Sequence, residues 1–329
     1  HNPSCAVSIV NTLNEMAKFL DDIFTKGGDH RRLLRRKFEE LEAYSSTLPG
    51  VPYQLFAKWT SPPFAAKNRY RIILPLNDGS RVKLLNSGQS DSEEYINASY
   101  VGTDNRYIIT QAPLKDATVD DFWRMVWQTE ASCIVMLVKV DPRKADRYWP
   151  ESVDECLSAC DGRLTVTFVE ECNVGQGLVK RMFRLECDSK DRMVTQYHYE
   201  QWPDHAPPTS FLAFHNLHSV IRADPMYAKS PSVIIHCSAG VGRTGTFVTI
   251  DACLKRLCNP DNSVVKTDPE DVDNRDYILA FIKECRRHRP WFVENEEQFI
   301  FCYEYIKWAL ERGKRQEDYV SESLSSSFS

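Results

Sequence analysis

The sequence contains no apolar run long enough to cross a membrane and no excess of positive charge. Its longest clear apolar run, CIVMLV at residues 133–138, has the length of a strand, whereas a spanning helix needs roughly 18 apolar residues. Its 41 lysines and arginines are outnumbered by 46 aspartates and glutamates, which argues against a general nucleic-acid-binding surface. No basic and apolar leader opens the sequence. We therefore expect no membrane span and no nucleic-acid partner, with positive potential confined to a local site.

The sequence also lacks the regular cysteine framework of small secreted domains. Its 11 cysteines are odd in number and spread along the chain, and several lie in apolar runs, as reduced and buried cysteines do. Cys156 with Cys160, and His215 with His218, have the spacing of metal ligands, but neither pair has a matching second pair. These patterns predict a reducing, cytoplasmic compartment and no metal site, and we expect the chain to be a monomer.

Helical and strand patterns alternate along the 329 residues, which would suit two domains or one large α/β domain. Thr118 and Asp121 form a capping pattern, the basic run RRLLRRK at 31–37 is interpreted as a solvated helix face, and the Ser-rich end is expected to be disordered. Periodicity predicts helices at 8–25, 29–47, 118–130, 209–223, 244–258, 274–288 and 295–312, strands at 95–102, 106–113, 133–138 and 232–237, and an antiparallel meander over 163–200.

The segment SVIIHCSAGVGRTGTF at 232–247 carries the strongest chemical signal. An apolar strand ends in Cys237, and a glycine-rich turn leads through Arg243 into a helix. Gly240, Gly242 and Gly245 also match the dinucleotide-binding pattern, but the segment after this helix lacks the following strand that a dinucleotide fold requires. Both interpretations predict a cradle for phosphate.

Such a cradle would activate Cys237. Successive backbone N–H groups can converge on one anion, the helix contributes its positive end, and Arg243 can bind two phosphate oxygens. A thiol at a helix N-terminus beside a cation usually has a pKa well below its free value of about 8.5. We therefore expect Cys237 to be a thiolate nucleophile, held by N–H groups of the turn that contains Ser238, Ala239, Gly240, Val241 and Gly242.

The chain resembles the cysteine-dependent protein tyrosine phosphatases in the motif HCSAGVGRTG and in seven further motifs in family order. They are NRYR (68–71), EYINASY (94–100), YIITQAPL (107–114), FWRMVWQ (122–128), YWP (148–150), WPDHAPP (202–208) and a closing loop ending in EEQFIFCYEYI. The resemblance implies a tyrosine-specific, non-receptor-like enzyme that needs no cofactor or metal and acts on phosphotyrosine-containing proteins. It also implies the protein tyrosine phosphatase fold, an α/β single domain with a twisted mixed sheet flanked by helices. The catalytic domain would span 30–312, between an N-terminal helical extension (1–29) and the Ser-rich tail (313–329).

The resemblance also assigns roles to individual residues. Cys237 would attack phosphorus and form a phosphocysteine intermediate, and Asp204 would act as general acid and then as base on a loop hinged at Trp202 and Pro203. For His236 and Tyr70, ordinary packing is the alternative to a role at the site. The implied roles are thiolate tuning for His236, hydrogen bonding to the leaving sulfur for Thr244, phosphate binding for Arg243, water positioning for Gln298, and substrate contacts for Tyr70, Arg71, Lys144, Trp202 and Glu294.

Four positions depart from the family pattern. Ile72 replaces an aspartate that holds the substrate backbone, so peptide recognition should be weaker or redirected. Trp291 replaces a glycine and should narrow the rim, which disfavours doubly phosphorylated peptides. Glu294 replaces a glutamine, and it either turns away from the phosphate or assists the hydrolytic water. Asp141 is expected to brace Arg243 in place of a family glutamate.

Two other functions remain possible on these residues. A phosphotyrosine-binding pseudophosphatase would keep the fold without turnover, and the altered closing loop is the feature in its favour. Intact Cys237, Arg243 and Asp204 argue against it. Dual specificity is disfavoured because the recognition loop with Tyr70 belongs to the deep-pocket type, which phosphoserine is too short to use.

Overall fold

The computed structural model of the chain describes residues 15–25, 29–48, 57–76, 78–85, 90–102, 105–258 and 275–326. Within these residues nine strands form one sheet in the order β1-β2-β3-β9-β4-β8-β7-β6-β5. The strands are β1 (Arg81–Lys83), β2 (Tyr95–Val101), β3 (Tyr107–Thr110), β4 (Cys133–Met136), β5 (Cys156–Ala159), β6 (Leu164–Gly175), β7 (Leu178–Cys187), β8 (Lys190–Tyr199) and β9 (Val233–His236).

Helices cover this sheet and complete the predicted α/β fold, a single mixed sheet with flanking helices. They are α1 (15–25), α2 (His30–Thr47), α3 (Ala57–Thr60), α4 (Val119–Gln128), α5 (Phe211–Ala223), α6 (Pro225–Lys229), α7 (Gly242–Cys258), α8 (Tyr277–His288) and α9 (Glu296–Ser326). Helix α1 buries Met16, Phe19, Leu20 and Ile23 in the same core as the sheet. Residues 8–14, where the first predicted helix would begin, lie outside the described residues.

The centre of the sheet is parallel, and this arrangement places the site. Strands β3, β9, β4 and β8 run in one direction, and β3, β9 and β4 are buried along their whole length. Parallel strands buried on both faces read as continuous apolar runs, as VIIH and CIVM do. The carboxyl ends of parallel strands meet at one edge of a sheet. Loops that follow at 111–118, 137–147, 200–210 and 237–241 therefore meet there, although they are far apart in sequence.

The structure corrects one local prediction, the capping pattern of Thr118 and Asp121. Thr118 is the N-cap of α4, but its hydroxyl accepts a hydrogen bond from the Leu114 N–H (2.8 Å) and does not cap the helix. Asp121 forms an ion pair with Lys67 (2.8 Å) instead of returning to the cap. Helix α9 ends at Ser326, within the Ser-rich end that was expected to be disordered, and that expectation stays a prediction.

The basic run in α2 is exposed, as predicted, but two of its arginines have partners. Arg31 pairs with Glu297 (2.5 Å) and Arg35 with Glu296 (2.8 Å), both in the first turn of α9. The helix dipole favours acidic residues in the first turn of α9. The two arginines of α2 pair with these acidic residues and so add a second favourable interaction. The run is therefore a helix-packing surface as well as a solvated one.

Candidate active site

Cys237 lies immediately after β9, at the carboxyl edge of the parallel strands. The turn that follows brings the Gly240 N–H to within 3.3 Å of the Cys237 Sγ, and α7 begins at Gly242. Burial opposes ionisation of this thiol, but Arg243, the hydroxyl and N–H of Thr244 and the Gly240 N–H outweigh it. The pKa of Cys237 is therefore lowered from its ordinary value. The Thr244 Oγ1 is buried and makes no other hydrogen bond within the described part of the chain.

Close contacts explain two glycines of this segment, Gly240 in the turn and Gly245 in the first turn of α7. Gly240 has φ +73°, and a Cβ there would lie 2.1 Å from the carbonyl oxygen of Thr110 on β3. A Cβ on Gly245 would lie 2.5 Å from the Val293 backbone nitrogen. The glycines thus let the cradle pack against β3 and the closing loop at 291–295. This packing accounts for the glycines without dinucleotide binding.

We expect Gly240→Ala to lower the free energy of unfolding by about 2–4 kcal/mol. Alanine is strained at a positive φ, and its Cβ would be too close to the Thr110 carbonyl oxygen. Urea unfolding measures this difference. Gly79→Ala is the matched control, since a Cβ at Gly79 meets nothing within 4 Å. Equal unfolding midpoints for the two variants would contradict the prediction.

Arg243 and Asp204 face each other across the mouth of the cradle. The Arg243 Nη2 donates to Asp204 Oδ1 (3.1 Å), and its Nη1 donates to the Trp202 carbonyl (3.4 Å). Lys144, from the loop after β4, donates to the other carboxylate oxygen of Asp204. The structure thus brings together four residues that lie at three separate places in the sequence.

These cations determine the ionisation of Asp204. Partial burial raises its pKa, but the hydrogen bond from Lys144 and the charges of Arg243 and His205 outweigh burial and lower the pKa below its ordinary value. In this arrangement Asp204 is a carboxylate at neutral pH.

The prediction that Asp141 braces Arg243 is wrong. Asp141 accepts a hydrogen bond from the Arg143 N–H (2.8 Å), and its carboxylate lies 3.6 Å from the Arg143 Nε. A tight turn in which the Asp141 and Ala145 backbones pair directs the carboxylate to its own loop. Asp204 is the carboxylate that contacts Arg243.

His236 lies behind the cradle, as expected, at the end of a buried hydrogen-bond chain. Gln196 Nε2 donates to Tyr148 Oη (2.7 Å), and Tyr148 Oη lies 2.9 Å from His236 Nε2. His236 Nδ1 lies 3.1 Å from the Cys237 carbonyl. Burial lowers the pKa of His236 to about 3, so the ring is neutral. With Tyr148 as donor to Nε2, the proton sits on Nδ1 and holds the Cys237 peptide in place.

The recognition loop, which contains NRYR at 68–71, contacts the cradle through Tyr70. The Tyr70 hydroxyl lies 2.7 Å from Ser238 Oγ, and the Ser238 hydroxyl donates a hydrogen bond to the Lys144 carbonyl (2.6 Å). Arg71 and Ile72 follow on the exposed side of this loop, and Ile72 is 67% exposed. Tyr70 thus forms a wall of the cradle mouth, while Ile72 presents an apolar side chain to solvent.

Arg289 supports the cradle and was missed by the sequence analysis. It is fully buried, donates to the Ala239 carbonyl (3.0 Å) and donates to Asn97 Oδ1 (2.6 Å). Burial lowers its pKa to about 10, so it stays charged at neutral pH. In the run RRHRP it looks like one more surface charge, and no local signal distinguishes it.

The closing loop at 291–295 reaches the cradle from the opposite side. Gln298 accepts a hydrogen bond from the Glu294 N–H (3.2 Å), and its Nε2 is buried without a partner among the described residues. The Glu294 Oε2 lies 2.7 Å from the position that a Cβ on Gly242 would take, so this carboxylate lies beside the cradle turn. Trp291 has φ +68° and is 42% exposed, so it stands on the rim in a backbone conformation that suits the expected glycine.

Two further kinds of feature, a metal site and a membrane span, are not found within the described ranges. No group of three or more histidine, cysteine or acidic side chains there is arranged to hold a metal ion. None of the helices in these ranges combines the length and the apolar character that a membrane span requires.

Comparison with known proteins agrees with this geometry. A family model described as "Protein-tyrosine phosphatase" matches residues 64–308. The chain is 35% identical over 251 residues to receptor-type tyrosine-protein phosphatase H of Homo sapiens, covering 73% of this chain and 21% of that protein. It is 31% identical over 300 residues to receptor-type tyrosine-protein phosphatase alpha of Homo sapiens, with 88% and 34% covered. It is 32% identical over 241 residues to tyrosine-protein phosphatase 2 of Dictyostelium discoideum, with 72% and 60% covered.

The chain thus spans between 21% and 60% of the length of these three relatives. Two of the three are named as receptor-type proteins, so the non-receptor character expected from the sequence stays a prediction.

Proposed function

Since this chain belongs to the protein-tyrosine phosphatase family, we propose that it hydrolyses phosphotyrosine in proteins through a phosphocysteine intermediate. The observation that carries the proposal is the contact set around Cys237: a thiol with a lowered pKa, at the floor of a backbone cradle, below the paired Arg243 and Asp204. Residues 30–312 would form the catalytic domain.

In the first step, the Cys237 thiolate attacks phosphorus and the bond from phosphorus to the tyrosine oxygen breaks. Asp204, in its protonated form, gives its proton to the leaving phenolate oxygen. The products are the free tyrosine hydroxyl, a phosphocysteine and the Asp204 carboxylate. Cradle N–H groups and Arg243 hold the equatorial phosphate oxygens, where charge accumulates in the transition state.

In the second step, water attacks the phosphocysteine and the phosphorus–sulfur bond breaks. Asp204 takes a proton from this water, and the unpaired Gln298 Nε2 is available to orient it. The leaving sulfur is received by the Gly240 N–H and by Thr244, the groups that lower the pKa of Cys237. Inorganic phosphate leaves, and both groups return to their starting charge states.

Asp204 must acquire a proton before the first step, although Arg243 and Lys144 favour its ionised form. A bound phosphate dianion would take over Arg243 and would bring negative charge close to the carboxylate. Both changes raise the pKa of a carboxyl group. Substrate binding would therefore favour the protonated form of Asp204, which is the form that cleavage of the substrate requires.

The mouth of the cradle favours phosphotyrosine. Tyr70 sets the wall of the pocket above Ser238, and its ring would lie against the substrate phenyl group. A phosphoserine is shorter and would not bring its phosphorus to Cys237. A cytoplasmic role in signalling is supported by nine cysteines in the described part of the chain that form no disulfide, because a reactive thiolate survives best in a reducing compartment.

Hydrolysis of p-nitrophenyl phosphate tests the proposal. We expect turnover in the presence of EDTA and without added metal, and faster release of phosphate from phosphotyrosine peptides than from phosphoserine peptides of the same sequence. Loss of turnover on EDTA addition would contradict the metal-independent mechanism. Binding of phosphotyrosine peptides without any turnover would instead identify a pseudophosphatase.

A further inference from the structure

His205 joins the general-acid loop to the closing loop. Its side chain is 67% exposed, and its two ring nitrogens face two different carboxylates. The Nδ1 lies 3.5 Å from Glu294 Oε2, and the Nε2 lies 3.7 Å from Asp204 Oδ2. A side chain next to the general acid thus reaches the residue that departs from the family pattern.

The backbone of His205 takes part in the same junction. Its φ is +51°, a left-handed conformation that is uncommon for residues other than glycine and that asparagine, aspartate and histidine adopt more often than the rest. The Asn295 Nδ2 donates to the His205 carbonyl (3.1 Å). This conformation turns the carbonyl and the imidazole of His205 toward the same neighbouring loop.

Glu294 is the fixed side of the junction. Its N–H donates to Gln298 Oε1, and Arg286 donates to the carbonyls of Phe292 (2.9 Å) and Val293 (2.8 Å). The Val293 N–H donates to the Val241 carbonyl of the cradle (3.2 Å). A general-acid loop that moves would therefore gain or lose its contact with a closing loop that is anchored to the cradle.

Charge decides the strength of this contact. Asp204 and Glu294 face the imidazole of His205. Arg243 pairs with Asp204 Oδ1, and Lys144 pairs with Asp204 Oδ2, the oxygen that lies 3.7 Å from His205 Nε2. A neutral imidazole has little attraction for a carboxylate at 3.5 Å, whereas an imidazolium between two carboxylates is attracted to both. The same positive charge offsets the Glu294 carboxylate, which otherwise repels a phosphate dianion in the cradle.

We propose that His205 and Glu294 form a protonation-dependent bridge that holds the general-acid loop over the cradle, so that His205 is a positioning residue for Asp204. An imidazole gains its charge as the pH falls from 8 to 5, and the bridge strengthens over the same range. The proposal deepens the proposed phosphatase function and rests on it for the link to turnover.

A double-mutant cycle tests the bridge through catalysis. The variants are His205→Gln, Glu294→Gln and their combination, assayed on p-nitrophenyl phosphate at pH 5.5 and pH 8. We expect the two substitutions to be coupled about two- to fivefold in kcat/KM at pH 5.5, the range of an exposed ion pair, and uncoupled at pH 8. Glu296→Gln, two residues along, is the control and should show no coupling to His205→Gln. Additive effects at pH 5.5, or equal coupling at both pH values, would overturn the proposal.

Hydrogen exchange tests the bridge without turnover. At pH 6 and without substrate, the amides of His205 and Ala206 should exchange about two- to fivefold faster in Glu294→Gln than in the parent protein, and no faster in Glu296→Gln. Unchanged exchange in Glu294→Gln would overturn the bridge even in an active enzyme. A parent protein that does not hydrolyse the ester would refute the proposed function, and the exchange comparison would still decide the bridge.

Discussion

Replacement of Cys237 by serine is expected to lower phosphate-ester hydrolysis by roughly 10⁴-fold or more, the scale on which removal of a catalytic nucleophile acts. A serine hydroxyl stays protonated in the environment that ionises the thiol, so the cradle would bind phosphate without attacking it. Steady-state turnover of p-nitrophenyl phosphate measures the loss. Cys156→Ser, at an exposed cysteine far from the cradle in sequence, is the control and should retain the parent rate.

Alkylation provides an independent readout of the same residue. Because the pKa of Cys237 is lowered while burial raises the pKa of Cys133 and Cys253, iodoacetate at pH 6 should modify Cys237 first. Mass spectrometry locates the adduct, and inorganic phosphate should slow its formation. Preferential labelling of any other cysteine, or full turnover in Cys237→Ser, would refute the assignment of the nucleophile.

Asp204→Asn is expected to lower kcat by about 10²–10⁴-fold, the usual contribution of a general acid. The parent rate should fall as the pH rises, because the acid form of Asp204 is lost as its carboxyl group ionises. An asparagine side chain does not titrate, so the variant should lose this alkaline decline while keeping the acidic limb that reports the Cys237 thiol. The pH profile of kcat from pH 4.5 to 8 measures both effects.

Asp141→Asn is the matched control for the general acid. Asp141 lines the same groove as Asp204, but its carboxylate is engaged with Arg143. We expect the parent rate and the parent pH profile in this variant. An alkaline decline that disappears in Asp141→Asn and persists in Asp204→Asn would reverse the two assignments.

The cradle could be predicted because its residues are contiguous. One strand, one turn and one helix in residues 232–247 place the nucleophile, the N–H groups and Arg243 together whatever the rest of the chain does. The antiparallel meander over 163–200 followed from periodicity alone, whereas the mixed sheet as a whole came from the family resemblance. Asp204, Tyr70 and Gln298 came from the family resemblance, because nothing local distinguishes an aspartate in a turn from a general acid.

The remainder of the site depends on contacts between distant segments. Arg289 reaches Asn97 and Ala239, and Tyr148 reaches His236, across separations that no sequence period encodes. Asp141 was expected to brace Arg243 in place of a family glutamate, but a position in the sequence does not say where a carboxylate points. His205 was not predicted as a site residue, because an exposed histidine beside a proline-rich segment looks like an ordinary surface residue.

The contact between Arg243 and Asp204 would make the proposed general acid a competitor of the proposed substrate for Arg243. Any phosphate ester that enters the cradle must displace a carboxylate already attached to the cation it needs. Removing that carboxylate, as in Asp204→Ala, both stops proton delivery and releases Arg243. Such a variant should therefore retain phosphoproteins more tightly than a merely slow enzyme would, which makes it the reagent for capturing physiological substrates.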